Sequence, residues 1–125
     1  PWMFELRGED AIDVYCDLDK RLPHTDPFDR QITIGFGCML GLFEIAAAEA
    51  GYAVEADIFP DGEPQPRLDK RRVARLRLVA EGEVARTPLF EEILNRRSSK
   101  EPYDTSRPVS AGTVERFSRG GRALI

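Results

Sequence analysis

Two cysteines, one histidine and one tryptophan among 125 residues close off several kinds of chemistry at once. Cys16 and Cys38 lie in apolar stretches and form no CxxC pair. Buried free thiols are the expectation, and with them a reducing, cytoplasmic compartment. Neither cysteine has a base nearby in sequence, so a thiol nucleophile lacks support. His24 stands between Pro23 and Thr25 in a polar loop with no second ligand at metal spacing, and reads as a surface residue. No Asp/Glu spacing suggests paired-carboxylate catalysis or a calcium loop. An excess of positive charge is also missing. The net charge of −4 excludes the global basic field expected of a nucleic-acid or anionic-membrane binder. The longest apolar run, 32–48, is interrupted by Gly35, Gly37, Gly41 and Glu44, so it reads as a core helix and not a membrane span. No signal peptide is visible.

What is present is the composition of a globular domain, 42% apolar and 32% charged, in a chain long enough to bury a core. Pro1-Trp2 opens directly into an alternating pattern, without an initiator Met, as in an excerpt of a longer protein. Residues 2–7 read as a half-buried strand with Trp2 as a core aromatic; Gly8-Glu9-Asp10 is a turn, and residues 11–16 are the hairpin partner. Asp26-Pro27 gives an N-cap followed by proline at the first helical position, and the helix runs to about Ala50, ending at Gly51. That helix is apolar nearly all round, so both faces need cover. Gly37 and Gly41 share a face and permit close approach of another helix, from a second subunit or a second half. Residues 52–59 form a third strand, ended by Pro60-Asp61-Gly62. Residues 73–80 form a fourth, with Ala74, Leu76, Leu78 and Ala80 on one side and Arg75 and Arg77 on the other. Thr87-Pro88 caps a second helix with Leu89, Phe90, Ile93 and Leu94 as its buried stripe. Ser110 caps a third through about Arg119, stopped by Gly120-Gly121. The class is α+β: a hairpin, a long central buried helix, two further strands in an antiparallel or mixed sheet, and two shorter helices.

Three motifs compete for function. Gly35-Phe36-Gly37-Cys38-Met39-Leu40-Gly41 fails as a dinucleotide fingerprint, because the third glycine falls one residue late and no parallel strand leads into it. The run Arg67, Lys70, Arg71, Arg72, Arg75, Arg77 lacks interleaved aromatics and alternates out of a strand. It reads as a solvated strand face or a charged sheet edge, not a nucleic-acid patch. The segment Arg96-Arg97-Ser98-Ser99-Lys100 places three cations and two hydroxyls within five residues. In the last turn of a helix, Arg96 and Arg97 would complement the negative dipole end. Ser98 and Lys100 extend the donor set beyond any cap, and guanidinium forks, an ammonium and a hydroxyl together hold a phosphate dianion. Each charged hydrogen bond of that kind contributes roughly 1.5–3 kcal/mol.

Arg96-Arg97-Ser98-Ser99-Lys100, followed by Pro102-Tyr103-Asp104, resembles the phosphate-binding motif of FMN-dependent nitroreductases, Arg-Arg/His-Ser-x-Arg/Lys and then Phe/Tyr-Asp. Pro1-Trp2 resembles the end of the same family's Asn-x-Gln-Pro-Trp motif. In ordinary nitroreductases Arg-Arg-Ser comes first; here Pro-Trp does. That order is similar to the duplicated Acg-like subgroup, in which two nitroreductase halves are fused in one chain, and the stretch from Leu22 to Arg30 resembles that subgroup's first half. The resemblance implies a partial nitroreductase-like fold, with 1–85 as a first half lacking its N-terminus and 86–125 as the start of a second. It implies FMN as cofactor, with Arg96, Arg97, Ser98 and Lys100 on the phosphate. Lys100, where arginine is commoner, keeps the charge and loses the bidentate fork. The long glycine-bearing helix matches the family's central interface helix. NAD(P)H and a nitro compound or quinone would be the partners of an oxidoreductase needing no catalytic side chain and no metal from this chain. The excerpt alone is expected to be inactive. The alternative is a protein that binds, sequesters or senses FMN without turnover.

Overall fold

Gly8 carries φ +64, a left-handed conformation that glycine adopts at no steric cost, and the chain reverses there. Strand β1 (Trp2–Arg7) thereby folds back on β2 (Ala11–Cys16) in antiparallel register, with Trp2 opposite Cys16 and Arg7 opposite Ala11. The computed structural model describes residues 1–80 and 84–122, which fall into two compact units, Pro1–Leu94 and Asn95–Ile125.

In the first unit, helix α1 (Arg30–Glu49) follows the hairpin, and strands β3 (Ala53–Ile58) and β4 (Arg72–Val79) pair antiparallel beyond it. The sheet order is β1-β2-β4-β3, so the strand carrying the arginines sits inside the sheet. That corrects the expectation of a charged sheet edge. Every pairing among the described strands is antiparallel. The register of β2 on β4 shifts between Val14 and Tyr15, so that Val14 faces Ala74 while Tyr15 faces Arg72. The extra residue is Val73, and the bulge lets both Val73 and Ala74 bury.

One face of the sheet holds the core. Ile32, Phe36 and Met39 of α1 pack with Val14, Cys16, Val73, Ala74, Leu76 and the loop residue Leu68. Positions 32, 36 and 39 recur at helical spacing, which gives α1 one inward stripe. The opposite stripe is open: Ile34, Gly37, Cys38 and Leu42 are exposed, and a Cβ built on Gly37 or Gly41 would meet nothing within 4 Å. By length and composition α1 could cross a membrane; among the described residues of its own unit it is a helix laid on a sheet, covered on one side. Among the described residues of the Pro1–Leu94 unit only one face is covered, the other being the one expected to meet a second subunit or second half, and the Cys38 thiol is exposed, not buried. Strand β1 departs from expectation for a related reason. Trp2, Phe4 and Leu6 continue the core face of the sheet, opposite Cys16, Val14 and Ile12, yet Trp2 is 43% and Leu6 76% exposed. A single helix is too narrow to roof four strands, and the edge strand is left bare.

The start of α1 also differs. Asp26-Pro27-Phe28-Asp29 is a turn closed from the Asp29 N–H to the Asp26 carbonyl at 3.1 Å, and the helix begins after it at Arg30. Asp26 still caps, from outside: its Oδ2 accepts the Gln31 and Ile32 N–H groups at 2.8 and 3.0 Å. At the other end Gly51, with φ +86, closes the helix as expected, and the Tyr52 N–H reaches the Ala47 carbonyl at 2.9 Å. Helix α2 (Leu89–Glu92) is a single turn whose Leu89, Phe90 and the following Leu94 are exposed; only Ile93 of the expected buried stripe is half-buried.

The second unit holds α3 (Ala111–Arg122). Ser110 Oγ accepts the Thr113 N–H at 3.3 Å, the expected cap. The helix continues through Gly120 and Gly121, so these glycines lower propensity without ending it.

Candidate functional site

Arg96 and Arg97 lie beyond α2, which ends at Glu92 and gives way to a turn over 93–95. They occupy no last helical turn, and the dipole-capping alternative therefore loses its geometry. Residues 96–100 carry no regular secondary structure and are exposed at every position. Arg97 Nη1 donates to the Arg96 carbonyl at 2.8 Å, and Ser99 Oγ accepts the Glu101 N–H at 3.4 Å. Among the described residues neither Arg96 nor Lys100 belongs to an ion pair. Tyr103 is exposed, while Asp104 closes a turn: its Oδ1 accepts the Ser106 N–H and hydroxyl, and its Oδ2 the Arg107 Nε–H at 3.0 Å. Those bonds, the Ser106 hydroxyl first, hold the Asp104 carboxyl below its ordinary range. The donor set of Arg96, Arg97, Ser98 and Lys100 thus stands on a solvated segment, chemically suited to a phosphate dianion. None of its members lines a described recess.

The charges of the first unit are arranged otherwise than the sequence suggests. On the sheet face away from α1, Asp13 is 1% exposed and sits beneath three arginines. Arg75 grips it through Nε and Nη2 at 2.7 and 2.8 Å, Arg7 reaches it through Nε at 3.0 Å, and Arg72 stands at 3.7 Å. The Arg75 hydrogen bond is the main reason the Asp13 carboxyl titrates at about 2; burial works the other way and is outweighed. Asp61, held mainly by Arg72, is likewise lowered to about 2. Arg7 also bonds Glu5 at 2.9 Å, and Glu5 accepts the Tyr15 hydroxyl at 3.3 Å. Arg72 and Arg75 are therefore committed to carboxylates and are not the freely solvated face expected of them.

Asp29, buried like Asp13 and Asp26, is fully inaccessible and at φ +56. Its Oδ2 accepts the Leu68 N–H at 3.1 Å, its Oδ1 the Arg67 Nη2–H at 3.4 Å, and Arg21 lies at 3.6 Å. This ties the loop after β3 to the start of α1. Between them opens a recess of about 390 Å³ that includes Phe28, Arg30, Phe59, Pro64, Pro66 and Arg67. Sequence reading missed Asp13, Asp29 and the recess. The available signal was an acid at an inward-alternating strand position, Asp13 between Ile12 and Val14, with unpaired arginines elsewhere in the chain.

Among the described residues no group of three or more His, Cys, Asp or Glu side chains is placed to hold a metal ion. No family model, curated protein or solved structure matches this chain.

Proposed function

We propose that this chain supplies part of the FMN site of a nitroreductase-like oxidoreductase, with Arg96, Arg97, Ser98 and Lys100 holding the flavin phosphate. The observation that carries the reading is that these residues cap no helix and bring three cations and a hydroxyl together, exposed, on a segment without regular secondary structure. Three cations and a hydroxyl supply enough charge and donors to hold a phosphate dianion. Bound FMN would supply hydride or electron transfer from NAD(P)H to a nitro compound or quinone, and the role of this chain would be to bind and orient it. The open stripe of α1, with Gly37 and Gly41 unfilled, suits a second half or a second subunit packed against it. Covering Ile34 and Leu42 there, 53% and 38% exposed, would add at most about half of the roughly 1.5–3 kcal/mol that a fully buried side chain contributes.

The deciding measurement is a visible absorbance spectrum of the purified protein, before and after reconstitution with FMN, and of the supernatant after denaturation. A flavin band released as FMN, and lost in Arg96→Ala, supports the proposal. A colourless protein that FMN cannot reconstitute removes it. With flavin bound, steady-state NAD(P)H oxidation in the presence of a quinone separates an oxidoreductase from a protein that only sequesters FMN.

A further inference from the structure

Adjacent basic residues occur at three places in the sequence: Lys20-Arg21, the run Lys70-Arg71-Arg72, and Arg96-Arg97. To an endoprotease that reads paired cations the three are alike, and the fold makes them different. Such an enzyme holds its substrate extended across several subsites, so a bond inside regular structure must first open locally.

Arg72 begins β4, which is flanked on both sides by β2 and β3. Its Nε holds Asp61 at 2.8 Å, and Arg71 Nε holds Asp69 at 3.0 Å. Freeing that pair means taking the sheet apart. Lys20 ends a 3₁₀ turn over Leu18–Lys20. Arg21 after it donates to the carbonyls of Leu18 at 3.1 Å and Leu68 at 3.2 Å. Arg96-Arg97 differs on both counts. Residues 96–110 carry neither helix nor strand, and every residue from 94 to 110 is exposed. The pair also begins just past the Pro1–Leu94 unit, so the core residues and all four described strands precede it. Exposed polar segments of this kind are where nicking concentrates.

We propose that the Arg97–Ser98 bond is a cleavage site for endoproteases selective for paired basic residues. Water adds across the amide: the C–N bond breaks, Arg97 gains a carboxylate, and Ser98 gains an amine that takes up a proton. The Pro1–Arg97 product keeps the whole sheet and α1 and stays folded. The cleavage does not rest on the flavin reading. Its consequence for phosphate does: under that reading the cut parts Arg96 and Arg97 from Ser98 and Lys100, and ends binding irreversibly.

The test digests the full chain, free of flavin, with a subtilisin-type endoprotease selective for paired basic residues, and follows the products by mass spectrometry. Synthetic peptides spanning each pair supply the intrinsic rates. Normalised to its peptide, the bond after Arg97 should be cut about tenfold or more faster than that after Arg21. Against the bond after Arg72 the factor should be roughly a thousandfold, because opening β4 approaches global unfolding. Pro1–Arg97 should accumulate and keep the urea midpoint of the intact protein, and Arg97→Gln should abolish the cut. No cleavage, a first cut at another pair, equal normalised rates, an Arg97→Gln protein cut as before, or a Pro1–Arg97 product that unfolds overturns the inference.

Discussion

Asp13 and Arg75 face each other directly across β2 and β4 and close a two-pronged ion pair, Nε to Oδ1 at 2.7 Å and Nη2 to Oδ2 at 2.8 Å. The pair pins the register of the two central strands, because a one-residue slip would send the acid to the core face and an apolar side chain out.

Asp13→Asn is expected to lower stability by about 2–3 kcal/mol, since it leaves Arg75, Arg7 and Arg72 around an uncharged amide. Arg7→Gln should cost less, because Arg7 is half exposed and its pairing is solvent-screened. The pH dependence has a definite sign. Asp13 titrates at about 2 when folded against an ordinary 3.8, so the unfolded chain takes up the proton first as pH falls. The stabilisation is complete above about pH 4 and drains away between about 4 and 2. Urea titrations of the native protein and Asp13→Asn across that range should converge toward the acid end.

Asp29 combines a left-handed backbone with bonds to Leu68 and Arg67. Asp29→Ala loses the bonds and keeps the strained φ, for an expected cost of about 2–4 kcal/mol. Asp29→Asn tolerates the backbone better and should fall between. Amide hydrogen exchange at Leu68 is the local readout: its protection should drop before that of the β2–β4 ladder.

The two thiols should separate cleanly by reactivity. Cys38 is exposed on the open stripe of α1, while Cys16 is buried and its thiol is pushed up chiefly by that burial. In native protein a maleimide or disulfide reagent should modify Cys38 promptly and leave Cys16 until the protein unfolds. Protection of Cys38 that rises with protein concentration would locate self-association on that stripe.

Arg96→Ala and Lys100→Ala should leave thermal stability within about 0.5 kcal/mol of the parent, since neither residue caps a helix or lies in a described ion pair. A larger loss would restore to these cations a structural task, and with it weaken the phosphate assignment.

Legibility in the sequence followed the range of the interactions. The β1–β2 hairpin, the glycine end of α1, strands β3 and β4 and the Ser110 cap depend on neighbours a few residues away, and each could be read from pattern. The start of α1 was misplaced because Asp26 caps across an intervening turn, which two consecutive helix-start residues, Asp and Pro, disguise. The arginines of β4 were misread because the partner of Arg75 lies 62 residues earlier. Trp2 was misplaced because alternation shows which residues share a face of a strand, and not whether anything covers that face. The stripe of Leu89, Phe90 and Leu94 failed similarly, being carried by one helical turn too short to bury it. For the candidate site, local chemistry identified donors for a phosphate; the recess, formed by segments about thirty residues apart, left no local pattern.

Because β2 is bonded to β4 and not to β3, the sheet cannot be completed until nearly all of the Pro1–Leu94 unit has been made. At roughly 5–20 residues per second, the first hairpin must wait several seconds on the ribosome for the strand that fills its inner flank. Through that interval Ile12, Val14 and Cys16 have only α1 to shelter them, and non-local pairing of this kind is slow. Translation speed between Cys16 and Val79 therefore sets how long a bare apolar strand is offered to chaperones or to another nascent chain.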